Sequence, residues 1–229
     1  MTTTELRSFD IALFGRPEHA VHRRAGETPM AALVLKRVID ITFSLVAIAV
    51  FAPLMLVAAL AVKLNSPGPV FFRQERVGLN GRAFRVMKFR SMGAGAEREV
   101  AELMQRNGGY RPFYKIRCDP RVTAVGKFLR RTSIDELPQF FNVLRGHMSI
   151  VGPRPQVRAE VDQYEHAHYR RLAVKPGITG LWQVSGRSDL PWHHAVRLDV
   201  RYVDEWSLVK DLSIMAKTVK VVLTSRGAY

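Results

Sequence analysis

The stretch ITFSLVAIAVFAPLMLVAALAV, residues 41–62, carries no charged side chain. As an α-helix its 22 residues reach about 33 Å, close to the thickness of a bilayer's hydrocarbon core. A helix on the surface of a soluble domain keeps a polar face, and this one has none. The soluble alternative is a buried central helix. A cleaved signal peptide is not expected, because a polar-rich arm precedes the stretch and no small-residue cleavage site follows it.

Two residues complicate a simple span. Asp40 stands at its start and Pro53 near its middle. Proline lacks a backbone N–H and clashes with the preceding turn, so a bend is expected there. It divides the stretch into halves of 12 and 9 residues, each too short to cross a bilayer alone. A bent helix that enters and leaves by the same face therefore competes with a kinked transmembrane helix. Charge favours the first: Lys36 and Arg37 precede the stretch, Lys63 follows it, and the later cations prefer the cytoplasmic side.

The whole chain has 229 residues, enough for one domain plus an anchoring segment. Its formal charge is +15, yet 47% of its residues are hydrophobic, which excludes a disordered polycation. The lone Cys118 excludes an internal disulfide and a cysteine-only metal cluster. A strongly basic protein seeks phosphate, whether in nucleic acid, anionic lipid or a diphosphate substrate.

Residues 1–30 read as a loose amino-terminal arm, and residues 31–64 as the membrane segment. The run Asn65-Ser66-Pro67-Gly68-Pro69 stops the helix. Extended runs at 70–74 and 83–89 flank Asn80-Gly81, a hairpin signal. From Phe71 to Arg90 there are six basic residues and one acidic. That face is either solvated or a positive surface turned to membrane or substrate phosphate. Helices are expected over 93–107, 123–131, 137–144, 158–173, 192–206 and 208–223. A rigid loop is expected at 149–155, where Pro153 and Pro155 bracket Arg154, and a glycine-punctuated loop over 175–187. The last helix sets Leu212, Met215, Val219 and Leu223 beside Lys210, Lys217 and Lys220. It suits a membrane surface or packing on the core. His193 and His194 face different ways on a helix, so no zinc site is expected.

At the centre stand Arg130-Arg131-Thr132-Ser133-Ile134-Asp135-Glu136-Leu137-Pro138. Adjacent helical residues point about 100° apart, so the two acids are not a face-to-face pair. One can attack while the other holds a metal. A capping reading competes: Ser133-x-x-Glu136 matches a capping box, and Asp135 as N-cap places Pro138 where no intrahelical bond is lost. The roles are compatible, since a helix start keeps a carboxylate ionised.

With these residues in view, the chain resembles the bacterial sugar transferases that initiate polysaccharide assembly, the polyprenyl-phosphate hexose-1-phosphate transferases or monotopic phosphoglycosyl transferases. The resemblance runs from about residue 36 to 224. It rests on Lys36-Arg37-x-x-Asp40, NSPGPVF at 65–71, RQxRVG at 73–78, KFRSM at 88–92, TSIDELPQ at 132–139, VGPRP at 151–155 and KPGITGLWQVSGR at 175–187. Two positions depart from the family pattern: Ala52 precedes Pro53 where serine is usual, and His147 stands where aspartate is common.

The resemblance implies a mixed α/β, mostly helical fold, with a re-entrant membrane helix broken at Pro53. Residues 65–229 would form a cytoplasmic catalytic domain with carboxy-terminal amphipathic, interfacial helices, on the cytoplasmic face of a bacterial inner membrane. Asp135 would be the nucleophile on a UDP-sugar, and undecaprenyl phosphate the acceptor. Glu136 would bind Mg²⁺ or orient the pair, and Asp199 would assist the metal. Arg154 is the leading phosphate clamp, with Arg90, Lys88, Arg131 and Arg187 as further phosphate candidates. Trp182 and Gln183 would border the nucleotide. Galactose or glucose is the favoured hexose. Membrane lipids, downstream glycosyltransferases and a second copy of the chain complete the expected partners. Nucleic-acid binding lacks any recognisable motif and leaves residues 41–62 unexplained. A non-catalytic membrane scaffold leaves unexplained why an acid pair, a Pro-Arg-Pro turn and a Gly-rich loop occur together.

Overall fold

The computed structural model describes residues 29–93, 95–96, 119–186 and 190–224. The expected amino-terminal arm up to residue 28, nearly all of the expected 93–107 helix, and Arg187 lie outside them. Within the described residues the fold is mostly helical, with two small two-stranded sheets.

The apolar stretch lies within one long helix, α1 (Met30–Asn65), which runs unbroken through Pro53. Only 22% of its most apolar window is buried, which excludes the buried central helix. Buried positions recur at Asp40, Ser44 and Ala47, then again at Met55, Ala58 and Val62. Every residue from 49 to 54 is exposed. Contact with the rest of the protein is thus made by both ends and released at the proline.

The amino-terminal flank explains the Lys36-Arg37-x-x-Asp40 spacing. Lys36 Nζ donates to Asp211 Oδ2 (2.6 Å) and to the Val151 carbonyl (3.1 Å). Arg37 donates to the Val143 and Leu144 carbonyls at 2.7 and 3.0 Å. Asp40 Oδ1 accepts from Ser149 Oγ and the Ile150 N–H at 3.0 and 2.9 Å. At the carboxy-terminal flank, Met55, Ala58 and Val62 pack with Phe89 and Leu129, and Ile134, Leu137 and Phe141 border the same cluster. Both flanks therefore grip one domain.

That domain begins with the hairpin β1 (Phe71–Val77) and β2 (Ala83–Phe89), antiparallel, with Gln74 opposite Val86. Asn80 takes a left-handed φ of 53° at the turn, as the Asn-Gly signal predicts. Helix α2 (Ala124–Thr132) follows, N-capped by Thr123 Oγ1 accepting from the Gly126 N–H (2.9 Å). Ser133, at φ 58°, then leads into a 3-10 turn, Ile134–Glu136, and into α3 (Gln139–Leu144).

The expected 149–155 and 175–187 loops contain regular structure. Strands β3 (Ser149–Val151) and β4 (Gly177–Thr179) pair in parallel, and α5 (Leu181–Ser185) follows the second. A Cβ on Gly152 or Gly177 would approach the other segment's backbone to 2.4 or 2.1 Å, so glycine at both positions lets the two motifs meet. Conversely, the expected 158–173 helix is divided into α4 (Arg158–Val161) and a 3-10 stretch, His166–Ala173, because Glu165 is extended between them. The chain closes with α6 (Trp192–Asp204) and α7 (Leu208–Thr224). The main core joins Val86, Val143, Met148, Ile150, Tyr202 and Ile214. Helix α7 gives Ile214 to this core, while Val209, Leu212, Val219 and Leu223 stay exposed.

Candidate active site

Strand periodicity builds the first wall of the cleft. Phe72, Gln74 and Arg76 on β1 share a face, and the register sets Val86 and Lys88 of β2 across from them. Glu136 and Gln139, Arg154 and Pro155, Gly177 and Ile178, and Gln183 complete a cleft of about 390 Å³ of free space.

Asp135 lies beside this cleft and is 8% exposed. Burial raises its pKa, pushing it up to about 6; Lys88 and Arg130 pull it down, while the Glu136 charge adds to the rise. No ion pair or side-chain hydrogen bond with another described residue holds it. Glu136 instead pairs with Lys88 Nζ at 2.6 Å. Adjacent acids are thus divided: one is tied to a cation and the other is not.

The capping reading of this pair is overturned. No side chain caps the 3-10 turn, and Pro138 rather than Asp135 occupies the N-cap of α3. Ser133 is spent as the left-handed C-cap of α2, where its backbone N–H bonds the Arg130 carbonyl. Asp135 is turned inward, while its neighbours Ile134 and Leu137 border the cluster that includes the second half of α1.

Arg154 lies half-buried with its guanidinium 5.6 Å from the centre of the buried Trp182 ring. Gln183 lines the cleft with it, and its buried Oε1 has no hydrogen-bond partner among the described residues. Lys88, Glu136, Arg154 and Gln183 are therefore brought together in one cleft.

Other candidates are placed elsewhere. Arg90 is buried under the end of α1, where Nη2 donates to Ser66 O and Oγ at 2.7 and 2.9 Å. It does not line the cleft. Arg131 is exposed on α2. Its neighbour Arg130 turns inward, donates from Nε to Ser91 Oγ (2.8 Å) and stabilises the Asp135 carboxylate. The signal for this was present: Arg130 is four residues from the buried Gly126, on the inner face of α2. Asp199 is buried and ion-paired with Arg171, and it does not line the cleft. His147 is exposed, 6.0 Å from the Phe84 ring centre. Arg76 and Gln139, which stand in the RQxRVG and TSIDELPQ motifs but are given no role there, also line the cleft.

Among the described residues no group of three or more His, Cys, Asp or Glu side chains forms a metal cage. The donor set is one or two carboxylates beside cations. That fits Mg²⁺ held jointly with a substrate's phosphates, and does not fit a resident, all-protein site.

A family model described as "Bacterial sugar transferase" matches residues 31–225. The chain is 42% identical over 200 residues to the exopolysaccharide production protein ExoY of Sinorhizobium fredii, covering 86% of this chain and 88% of that protein. It is 45% identical over 197 residues to the galactosyl transferase CpsE of Streptococcus agalactiae, but there it spans only 44% of the relative's length. It is 42% identical over 213 residues to a protein named UDP-glucose:undecaprenyl-phosphate glucose-1-phosphate transferase in Escherichia coli, again spanning 44% of it and 89% of this chain.

Proposed function

The chain belongs to the bacterial sugar transferase family, and from that premise and the cleft's geometry we propose that it moves a hexose-1-phosphate from a UDP-sugar to undecaprenyl phosphate, initiating exopolysaccharide assembly. The observation that carries this reading is Asp135: a buried carboxylate outside any ion pair, flanked by Lys88, Arg130 and Glu136. The names of its relatives make galactose or glucose the first hexoses to test.

In the first step an Asp135 oxygen attacks the β-phosphorus of the UDP-sugar. The bond from that phosphorus to the bridging oxygen breaks, and UMP leaves with the electron pair. In the second, an oxygen of undecaprenyl phosphate attacks the same phosphorus. The bond to Asp135 breaks, the carboxylate is restored, and undecaprenyl diphosphate hexose is released. A covalent intermediate splits one crowded displacement into two and lets a water-soluble and a lipid-soluble substrate use one cleft in turn.

Lys88 stabilises the ionised nucleophile, and its pairing with Glu136 keeps that ammonium in place. Arg154 presents a planar guanidinium suited to phosphate. Gln183 offers a buried carbonyl oxygen to the donor. Mg²⁺ would be held by Glu136 with the substrate's phosphates, where it neutralises diphosphate charge.

Helix α1 enters and leaves by the cytoplasmic face of the inner membrane, a re-entrant anchor rather than a span. A span about 30 Å deep sends its two flanks to opposite sides. Here Asp40 and Val62, at opposite ends of the apolar stretch, pack on the same domain, and residues 49–54 are free to enter lipid. The exposed apolar residues of α7, with Lys217 and Lys220 nearby, suit the same surface. Residues 65–229 are the catalytic unit on that surface.

The test is UMP release from UDP-galactose and UDP-glucose with undecaprenyl phosphate and Mg²⁺ in detergent. Wild-type protein is expected to release UMP and to trap label from a sugar-labelled donor, and Asp135→Asn to do neither. Turnover by Asp135→Asn at the wild-type rate rejects the proposal.

A further inference from the structure

Four successive carbonyls of the Pro153–Gln156 segment are held by three separate parts of the protein. Pro153 O accepts from the Gly177 N–H at 2.9 Å, Arg154 O from Arg171 Nη2 at 3.2 Å, Pro155 O from Arg76 Nη1 at 3.1 Å, and Gln156 O from the Val77 N–H at 2.9 Å. Three of these donors come from the walls of the cleft or the hairpin. The exception is Arg171, which is 3% exposed and belongs to a network outside the cleft.

Arg171 Nε donates to Asp199 Oδ2 at 3.1 Å, and Nη2 also reaches that oxygen. Nη1 donates to Tyr164 Oη, which donates in turn to Gln156 Oε1. The Tyr164 ring lies 5.6 Å from the guanidinium carbon. Burial raises the Asp199 pKa, and the Arg171 charge, followed by that of Arg154, opposes the rise. The Arg171–Asp199 pair thus holds the Arg154 carbonyl through the Arg171 guanidinium, and Tyr164 extends its hold to Gln156. Side chains on α6, the His166–Ala173 stretch and the segment before it converge on one turn.

We infer that Asp199 and Arg171 are positioning residues for Arg154: this buried ion pair, steadied by Tyr164, fixes the Pro-Arg-Pro backbone so that the Arg154 guanidinium lies over Trp182 at the cleft. Neither residue touches substrate. A guanidinium on a flexible side chain gives its full effect on a phosphate only when its root is fixed, and displacement of about 1 Å can cost about a hundredfold in rate. A buried ion pair is expensive to desolvate and is weak evidence for stability. Here its orientation toward one functional peptide supplies a reason for its presence. The inference rests on the phosphate role proposed for Arg154, and the experiment separates the two.

Steady-state kinetics with a UDP-sugar are compared for Arg154→Ala, Asp199→Asn, Tyr164→Phe and the doubles Arg154→Ala/Asp199→Asn and Arg154→Ala/Tyr164→Phe, with the melting temperature of each. Asp199→Asn is expected to lower kcat/KM about tenfold to a hundredfold, dividing the loss between kcat and KM as Arg154→Ala does. Tyr164→Phe is expected to do so several-fold. In the Arg154→Ala background both are expected to cost less than about twofold, because interacting sites are not additive. Losses that multiply, as independent destabilisation gives, overturn the inference. If Asp199→Asn does not fold, the Tyr164→Phe cycle decides by the same criterion. Wild-type kcat/KM in Arg154→Ala alone overturns the phosphate role of Arg154.

Discussion

Asp135 and Asp199 are both buried aspartates surrounded by cations, yet the regions around them are built for opposite purposes. Asp199 has Arg171 in direct contact and is sealed at 1% exposure. Asp135 feels Lys88 and Arg130 but contacts neither in an ion pair, and the nearest lysine is engaged by Glu136. The first carboxylate is ion-paired by protein through Oδ2. The second retains an unanswered charge beside a cleft, which costs stability and leaves a lone pair for an electrophile. Burial alone does not mark a functional acid; burial without a committed partner does.

The largest expected effect separates the two by activity. Asp135→Asn removes the proposed nucleophile and is expected to lower the rate by roughly three orders of magnitude or more, measured as UMP release. The next separates them by stability. Asp199→Asn leaves Arg171 buried and unpaired, and is expected to destabilise by about 3–5 kcal/mol in denaturant titration in detergent. Asp135→Asn is expected to act with the opposite sign. An acid whose folded pKa is raised holds its proton more tightly in the folded protein, so stability falls as pH rises from about 4 through about 6. Replacing Asp135 removes that penalty, a gain on the order of 1–3 kcal/mol above pH 7 that vanishes near pH 4. Destabilisation by both variants at pH 8 would dissolve the contrast.

Finer changes sharpen it. Lys88 lowers the Asp135 pKa, so Lys88→Met is expected to move the acidic limb of kcat/KM from about pH 6 to higher pH. An unmoved limb assigns that titration to another group. The smallest effect concerns the backbone that aims Asp135. Ser133 adopts φ 58°, a conformation glycine takes without a Cβ penalty. Ser133→Gly is expected to change stability by less than about 1 kcal/mol and to leave the pH limb in place.

Local signals carried much of this protein. An uncharged 22-residue stretch required a long apolar helix, since no other arrangement satisfies its backbone in a lipid setting. Asn80-Gly81 specified a hairpin, and alternation along it supplied a cleft wall. The paired prolines around Arg154 marked a stiff turn. These features depend on neighbours in sequence, so they are legible there.

What the sequence alone determined was the class of elements and the residue types available for phosphate chemistry. Only the tertiary structure decided which members of those sets share a cleft. One of two adjacent arginines turns inward because a helix rotates about 100° per residue and its buried face is set by partners far along the chain. Arg90 went to the end of α1 and Asp199 to Arg171, because a buried charge must be satisfied by whatever packing brings close, and that proximity is written in no local motif. The parallel pairing of β3 with β4 is of the same kind: three residues each, joined across a long connection, with only two close-packed glycines to announce it.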